Sequence, residues 1–174
     1  MLWGVSLSER AARIRLINQA LIQAGWEPIV PYRGYPPPGP AAVTEHPTAN
    51  GPVDYALFEQ GQPLAVVEAK RPDVGPQNVL KQAQRYGQGF PDSPFDYHGY
   101  HVPFGYSTNG YAIWFQDLRD PHSRSREAKG FGSVTALRGV LEDDQATRHR
   151  LDSLDRVVLA RAALRGDLVP KDPK

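Results

Sequence analysis

The sequence predicts an α/β fold in which helices flank a mixed β-sheet. Three observations support this prediction. Apolar residues recur at spacings of three and four near the start of the chain, which is typical of a helix with one buried face. Two pairs of short apolar runs, each pair separated by a turn sequence, indicate strands. A second helical pattern lies between the two pairs, so the predicted order is helix, two strands, helix, two strands.

The first helix is predicted over residues 6–24. Ser6 and Glu9 are spaced as a capping box, in which two side chains satisfy backbone donors of the first turn. Gly25 follows the last apolar position, where many helices end in a left-handed residue. We therefore expect Trp26, directly after this glycine, to pack back on the core.

The strands and the second helix are predicted in the middle of the chain. The run 53–58 is separated from 63–69 by a glycine-containing turn, and the second run is apolar on both faces, as in a central strand. Residues 76–89 have helical periodicity. Two further strands are predicted over 102–107 and 111–115, on either side of an Asn-Gly turn.

Proline, glycine and polar residues predict the loops. Residues 31–50 are crowded with proline and glycine, so we expect a long surface loop that holds at most one short strand, near Ile29 or Val43. Residues 117–132 are polar and predict a second exposed loop.

Length and composition favour one compact unit followed by helices. The chain has 174 residues, of which 40% are hydrophobic, and this is enough to bury a core. Helical periodicity predicts helices over 133–141 and 144–164. We therefore assign residues 1–132 to the core domain and 133–174 to C-terminal helices that pack on it and lead to a linker.

Composition also excludes several classes of protein. The absence of cysteine excludes disulfide frameworks, zinc ribbons, iron–sulfur clusters and cysteine nucleophiles. The formal net charge of +1 gives no field strong enough to identify a polyanionic partner. No apolar run approaches the roughly 20 residues of a membrane span, and the start lacks the apolar stretch of a signal peptide. We therefore expect a cytoplasmic protein without a membrane partner.

The sharpest chemical feature is an acidic-x-Lys triplet that ends a buried strand. Such triplets begin at Glu68, Glu127 and Asp172, so the bare pattern does not choose among them. Only Glu68 and Lys70 follow an apolar run, while the second triplet lies in a polar stretch and the third in the terminal tail. The first triplet is therefore the candidate, together with Asp54 on the preceding strand.

The strand geometry makes this candidate testable. Residues two apart on a strand point to the same face, so we expect Glu68 and Lys70 to project together. A three-residue loop over residues 60–62 would place Asp54 opposite Glu68, with the two Cβ atoms about 4.5 to 5.5 Å apart. A two-residue loop would break this alignment.

Two carboxylates on neighbouring strands suit a divalent cation. Asp54, Glu68 and the backbone carbonyl of Ala69, together with waters, would form the all-oxygen site that Mg²⁺ prefers, with Mn²⁺ as a substitute. The ion would polarise a phosphate and lower the pKa of a bound water, while Lys70 positions that water or offsets developing charge. The pattern alone fits equally well an exposed Glu-Lys pair at a strand end beside a loop-edge aspartate.

Three stretches of the sequence resemble a known nuclease family. They are GPVDYALFEQGQPLAVVEAKRP, KQAQRYGQ and VPFGYSTNG. Together they resemble the amino-terminal nuclease domain of type I restriction enzyme motor (R) subunits, a member of the PD-(D/E)xK superfamily. The opening helix, which ends in Ala-Gly-Trp (Ala24 to Trp26), is similar to that family too, so the resemblance covers roughly residues 6–115. It implies a restriction-endonuclease-like fold and a metal-dependent DNA endonuclease that hydrolyses phosphodiester bonds in duplex DNA.

The resemblance assigns roles by position. Asp54, Glu68 and Lys70 match the family's catalytic triad. Gln82 and Tyr86 match a supporting motif one helix later, and their spacing of four places them on one helix face. The family also has a Thr-Asn-Gly sequence near its active site, which Thr108 to Gly110 match, so Asn109 is a weaker candidate.

Two departures from the family pattern concern the first helix and the motor. Residues 11–13 read Ala-Ala-Arg where the family often carries an acid. Glu9 is the nearest substitute, but two residues along a helix rotate it by roughly 200° from that place. The chain contains no G-x-x-x-x-G-K-[ST] sequence, so ATP would act only through a motor that is not in this chain.

The resemblance also implies partners, and it leaves rival functions open. The implied partners are duplex DNA, helicase or translocase motor domains, and methyltransferase and specificity subunits. One rival is a stand-alone PD-(D/E)xK nuclease of repair or phage defence. The other is a non-catalytic DNA-holding or docking module that has the fold without the metal.

Overall fold

A computed structural model describes residues 5–70 and 80–145 of the chain. Three helices and seven strands occur in these ranges. In chain order they are α1 (Val5–Gln23), β1 (Ile29–Pro31), β2 (Ala41–His46), β3 (Val53–Glu59), β4 (Gln62–Ala69), α2 (Leu80–Gln88), β5 (Phe104–Thr108), β6 (Ile113–Asp117), β7 (Arg126–Ala128) and α3 (134–145).

The seven strands form one mixed sheet in sequential order from β1 to β7. The β1–β2 and β4–β5 pairs are parallel, and the other four pairs are antiparallel. Helix α2 lies in the connection between the parallel strands β4 and β5, as parallel pairing requires a crossover. The predicted α/β fold with a mixed sheet is therefore confirmed, and the architecture is consistent with the restriction-endonuclease-like fold that the resemblance implies.

Helix α1 ends in the way that its sequence predicts. Gly25 adopts a φ of 89°, a left-handed conformation that favours glycine. The Gly25 amide donates to the carbonyl of Ile22 (2.9 Å), and the Trp26 amide donates to that of Leu21 (2.9 Å), which together form a Schellman motif. Trp26 is fully buried, and its indole Nε1 donates to the carbonyl of Gly132 at 2.9 Å.

The two predicted loops were wrong in part, because each contains strand structure. β1 and β2 both form within and beside the stretch 31–50, and Ala41 to Val43 are buried in the sheet. Pairing with β3 stabilises β2 despite its modest local preference, since strand formation depends strongly on neighbours. β7 lies in the predicted loop 117–132 as a short, largely exposed strand at the sheet edge.

The turn between β3 and β4 is shorter than predicted. Glu59 pairs with Gln62, so the loop contains only Gln60 and Gly61. Both loop residues have positive φ, 51° and 73°, as in the type I′ turns that match the twist of a hairpin. The predicted three-residue loop was therefore wrong.

A β-bulge compensates for the short turn. Leu64 is the extra residue on β4, inserted where the register shifts beside Leu57 and Phe58. The pairs on the two sides of the bulge are Phe58↔Pro63, then Leu57↔Ala65, Ala56↔Val66 and Tyr55↔Val67. The next residues in this register are Asp54 and Glu68, so the predicted alignment occurs through a different turn.

Helix α2 packs on one face of the sheet through a narrow apolar stripe. Leu80, Ala83 and Tyr86 are buried in a cluster with residues of β2, β3 and β4. Gly87 allows close approach, because a Cβ there would lie 3.1 Å from Val102 and 3.2 Å from Leu118. This packing fixes the helix that follows β4 in the chain.

The chain divides into two compact units, Met1–Val134 and Thr135–Lys174. Residues 134–145 form one helix, so the predicted break between 141 and 144 was wrong. The rest of the helix predicted over 144–164, and the first residues of the helix predicted over 76–89, lie outside the described residues. The assignment of 133–174 to helices that pack on the core stays a prediction. Among the described helices, none has the length and apolar character to span a membrane.

Candidate active site

The candidate residues meet at one end of the central strands, where β4 and β5 end and β3 begins. β3 starts at this end because it runs antiparallel to β4, and β5 ends there because it runs parallel to β4. Glu68 lies opposite Ser107, and Ala69 lies opposite Thr108. The Lys70 amide donates to the Thr108 carbonyl at 2.8 Å, which extends the parallel pairing one residue past the end of β4.

A short hydrogen bond holds Asp54 against β4. Its Oδ2 accepts the backbone amide of Ala69 at 2.6 Å. The Asp54 carboxylate is also close enough to Glu68 for its charge to raise the pKa of that residue. The two strands therefore bring both carboxyl groups to one place, as the register predicts.

Lys70 completes the cluster. Its Nζ lies 2.6 Å from Oε1 of Glu68, so the two side chains project together, as their spacing of two predicts. The lysine side chain is 28% exposed and the glutamate side chain only 5%. The Lys70 ammonium group thus lies between the buried Glu68 carboxylate and solvent.

The electrostatics of the cluster favour a further positive charge. Burial raises the pKa of Glu68 to about 7, and the neighbouring Asp54 carboxylate also raises it, while the hydrogen bond and charge of Lys70 lower it. One lysine therefore does not fully compensate two adjacent carboxylates. A bound divalent cation would favour the ionised form of Glu68.

The oxygen donors fit magnesium. Asp54 and Glu68 offer carboxylate oxygens, and Ala69, at the end of β4, offers a backbone carbonyl. Within residues 5–70 and 80–145, no group of three or more His, Cys, Asp or Glu side chains gathers as a metal site. A small set of protein ligands suits Mg²⁺, which keeps much of its water and is held by one or two carboxylates.

Gln82 and Tyr86 lie together on α2. The Gln82 side-chain amide donates to the Tyr86 hydroxyl at 2.8 Å, one helical turn away. Tyr86 is buried in the core cluster. Neither side chain hydrogen-bonds to Asp54 or Glu68 in the described structure, so their supporting role stays a prediction.

Asn109 and Glu9 occupy different positions. Asn109 follows β5 at the site edge, where its Oδ1 accepts the amides of Tyr111 (3.1 Å) and Ala112 (2.9 Å). These bonds give Asn109 a role in forming the turn. Glu9 belongs to helix α1, but its side chain lies outside the described residues.

The rival triplets differ from the candidate in their surroundings. Glu127 lies on the exposed edge strand β7, opposite Trp114. Asp172 lies outside the described residues. Ser107 was not predicted as a site neighbour, and Thr108 was predicted only as part of the Thr-Asn-Gly match; both are buried beside Glu68 and Ala69. These residues reach the site through the parallel pairing of β4 with β5. That pairing depends on the crossover through α2, so no local sequence pattern indicates it.

Comparisons with known proteins support the family predicted from the motifs. Residues 36–141, more than half of the chain, match the family described as type I restriction enzyme EcoKI endonuclease subunit second domain. The matched region includes the whole candidate site except Glu9.

A curated relative carries the same description. It is the type I restriction enzyme EcoKI endonuclease subunit of Escherichia coli (strain K12), 29% identical over 172 residues. The match covers 70% of this chain, and the chain spans 15% of the relative's length. No solved structure matches this chain. On the evidence of the family match, the chain belongs to the type I restriction enzyme EcoKI endonuclease subunit second-domain family.

Proposed function

We propose that this chain is the magnesium-dependent endonuclease domain of a type I restriction system, and that it hydrolyses phosphodiester bonds in duplex DNA. The observation that carries the proposal is the cluster of Asp54, Glu68 and Lys70 at one sheet edge. Family membership supports a role in restriction. The cluster supplies the acids and the lysine that phosphodiester hydrolysis by a metal-dependent nuclease requires.

The surroundings of each site residue indicate its role in the proposed reaction. The ion would be held by Asp54, Glu68 and the Ala69 carbonyl. A hydrogen bond from the Ala69 amide positions the Asp54 carboxylate. Bound there, magnesium would neutralise charge on the scissile phosphate and acidify a coordinated water. Lys70 donates a hydrogen bond to the attacking water or to a phosphate oxygen, since its Nζ is partly exposed beside Glu68. The attacking water oxygen would bond to phosphorus as the bond between phosphorus and the sugar oxygen breaks. The attacking water would release one proton to solvent, and the departing sugar oxygen would take one proton from solvent.

The proposed function also requires other domains and subunits. We propose that motor domains, through which ATP is used, and methyltransferase and specificity subunits act with it on cytoplasmic DNA. The relative from Escherichia coli is one subunit of a restriction enzyme, and this chain spans 15% of its length. Sequence recognition would come from these partners, because the proposed site binds the phosphate backbone, which carries no direct sequence information.

Calorimetric titration of MnCl₂ into the 174-residue chain tests the metal site. We expect binding by the wild type and binding more than about tenfold weaker in Asp54→Asn, since a direct ligand is lost. Glu127→Gln is the matched control, because it changes the acid of a rival triplet on exposed β7, and it should bind as the wild type does.

Plasmid cleavage in Mg²⁺ is the second measurement. Lys70→Ala should lose cleavage and keep metal binding, because the lysine is not an oxygen ligand. Absence of metal binding in the wild type, even with DNA present, would contradict the proposal and favour a DNA-holding or docking module. If Glu127→Gln weakened metal binding as much as Asp54→Asn does, the wrong triplet would have been chosen.

A further inference from the structure

An exposed tyrosine lies at the edge of the sheet that carries the candidate site. Tyr111 is 78% exposed, the largest value among the large hydrophobic side chains of the described residues. It lies between β5 and β6, in a turn that follows Thr108. Its ring is thus presented to solvent, although an aromatic side chain gains most when it is buried against a partner.

The turn that carries this ring is rigidly built. Thr108 Oγ1 donates to the carbonyl of Ala112 (2.8 Å) and accepts the amide of Gly110 (3.0 Å). Asn109 Oδ1 accepts two further amides, those of Tyr111 and Ala112. Gly110 has a φ of 92°, which glycine adopts readily. These bonds fix the backbone at Tyr111, so little backbone entropy is lost if the ring binds a partner.

The same turn is bonded to the site. Thr108 both opens the turn and accepts the amide of Lys70 at 2.8 Å. From the spacing of strands and the rise per residue, the Tyr111 backbone lies within about 10 Å of that of Lys70. Tyr111 and Lys70 therefore lie near each other at the same end of the strands.

We propose that Tyr111 stacks on an unpaired nucleobase, exposed at a gap in the duplex, of the DNA strand whose backbone would be held at Asp54, Glu68 and Lys70. This inference rests on the proposed function. The site itself contacts only phosphate, and a ring on a fixed turn nearby supplies the second type of contact that single-stranded nucleic acid uses, base stacking. Stacking does not depend on base identity, so it suits a domain that cuts without reading sequence.

A base analogue detects such stacking directly. The 174-residue chain is titrated, with Ca²⁺ in place of Mg²⁺ to prevent cleavage, into duplex DNA carrying 2-aminopurine in a single-nucleotide gap. Wild type and Tyr111→Phe should bind alike and change the 2-aminopurine fluorescence. Tyr111→Ala should bind about 5- to 100-fold more weakly and lose the fluorescence change, as expected for one aromatic stacking partner.

Tyr35 offers a matched control at the other end of the sheet. Its side chain is 65% exposed, and the adjacent Pro36 approaches Gly61 in the β3–β4 turn, at the edge opposite the site. Tyr35→Ala should therefore bind as the wild type does.

The possible outcomes separate this inference from the proposed function. If Tyr111→Ala binds and changes fluorescence like the wild type, which itself binds DNA, the stacking contact is wrong and the nuclease proposal stands. If Tyr111→Phe is as weak as Tyr111→Ala, the hydroxyl rather than the ring is needed, and stacking is again wrong. If the wild type binds neither metal nor DNA, both proposals fail.

Discussion

Glu68 is a carboxyl group from which water is largely excluded, with the Asp54 carboxylate as a close neighbour. A pKa near 7 means that its ionisation at neutral pH is maintained at the expense of fold stability. This strain is useful if a cation is to bind, because the ion then relieves a repulsion that the fold already contains. Lys70 lowers the pKa of Glu68, but burial and the Asp54 carboxylate outweigh this effect, so the pKa remains raised.

Replacing Glu68 with glutamine should stabilise the metal-free fold. The folded pKa of about 7 exceeds the ordinary value of 4.5, so the folded state binds more protons than the unfolded state between these values, and stability falls as pH rises through this window. At pH 8 in EDTA, we expect Glu68→Gln to raise the free energy of unfolding by about 1 to 3 kcal/mol. The advantage should vanish below pH 4.5. Urea denaturation measures it.

The comparison must be made between the two proteins at each pH. His46 is also buried, which lowers its pKa, so its contribution to stability is lost as pH falls below 6.5, in the opposite direction. That contribution is common to both proteins and cancels in the difference. A Glu68→Gln variant less stable than the wild type at pH 8 would mean that the ion pair with Lys70 outweighs the burial of Glu68.

The site residues were predictable from sequence because strand periodicity and one hairpin relate them. Glu68 and Lys70 are two apart, and Asp54 is reached through a single register. The pairing with Ser107 and Thr108 was not predictable in the same way. It depends on contacts across the β4–β5 crossover, which no local pattern in the sequence encodes.

At the scale of elements, the β3–β4 hairpin shows how two errors in a prediction can cancel. The loop is one residue shorter than predicted, and the bulge at Leu64 returns the missing residue on β4. Hydrophobic patterning constrains the outcome, because a slip by one residue would turn every side chain to the other face. The register near the site was therefore more predictable than the turn that produces it.

Changing Gln60 to asparagine should stabilise this turn. Gln60 adopts a φ of 51°, which is unfavourable for glutamine and better tolerated by asparagine, and Asn-Gly is the preferred type I′ pair. We expect the free energy of unfolding to rise by about 0.5 to 1 kcal/mol. Thermal unfolding measures the gain, and metal affinity should be unchanged because the turn lies at the edge opposite the site. Gln60→Ala is the control, and an equal gain from it would argue against the left-handed conformation.

The short strands were predicted only in part: one strand was expected near Ile29 or Val43 where both β1 and β2 form, and β7 was not predicted. β1 and β7 have three residues each, and β2 has an Ala-Ala-Val start among prolines and glycines. Their order along the sheet follows from partners already in place, β3 for β2 and β6 for β7. Longer elements such as α1 and β4 carry enough apolar patterning to be predicted from their own residues.

At the scale of the whole molecule, the charge is nearly balanced. A net charge of +1 gives no strong overall field to attract DNA from a distance, so we expect the proposed DNA binding to rely on local contacts near the site. This agrees with a domain that is delivered to DNA by a larger assembly rather than one that searches for it alone.

The salt dependence of DNA binding should therefore be shallow. Each phosphate neutralised contributes about 0.9 to the slope of log affinity against log salt concentration. We expect a slope of magnitude below about 3 for the 174-residue chain, measured by fluorescence anisotropy between 50 and 200 mM KCl with Ca²⁺ present. A magnitude near 6 or more would reveal a concentrated basic surface and contradict a site-centred mode of binding.

Two hydrogen bonds donated by backbone amides at the site, one to a side chain and one to a carbonyl, suggest an order of assembly during folding. The bond from the Ala69 amide to Asp54 spans 15 residues within one hairpin, and isolated hairpins close in about 1 to 10 μs. The bond from Lys70 to Thr108 joins strands separated by the α2 crossover, and such non-local pairing is slower because a longer loop must close first. We therefore expect the carboxylates to come together before the lysine is anchored. On a ribosome, a nascent chain would form its acidic pair while β5 is still unmade, and the complete site would arise only after β5 joins the sheet.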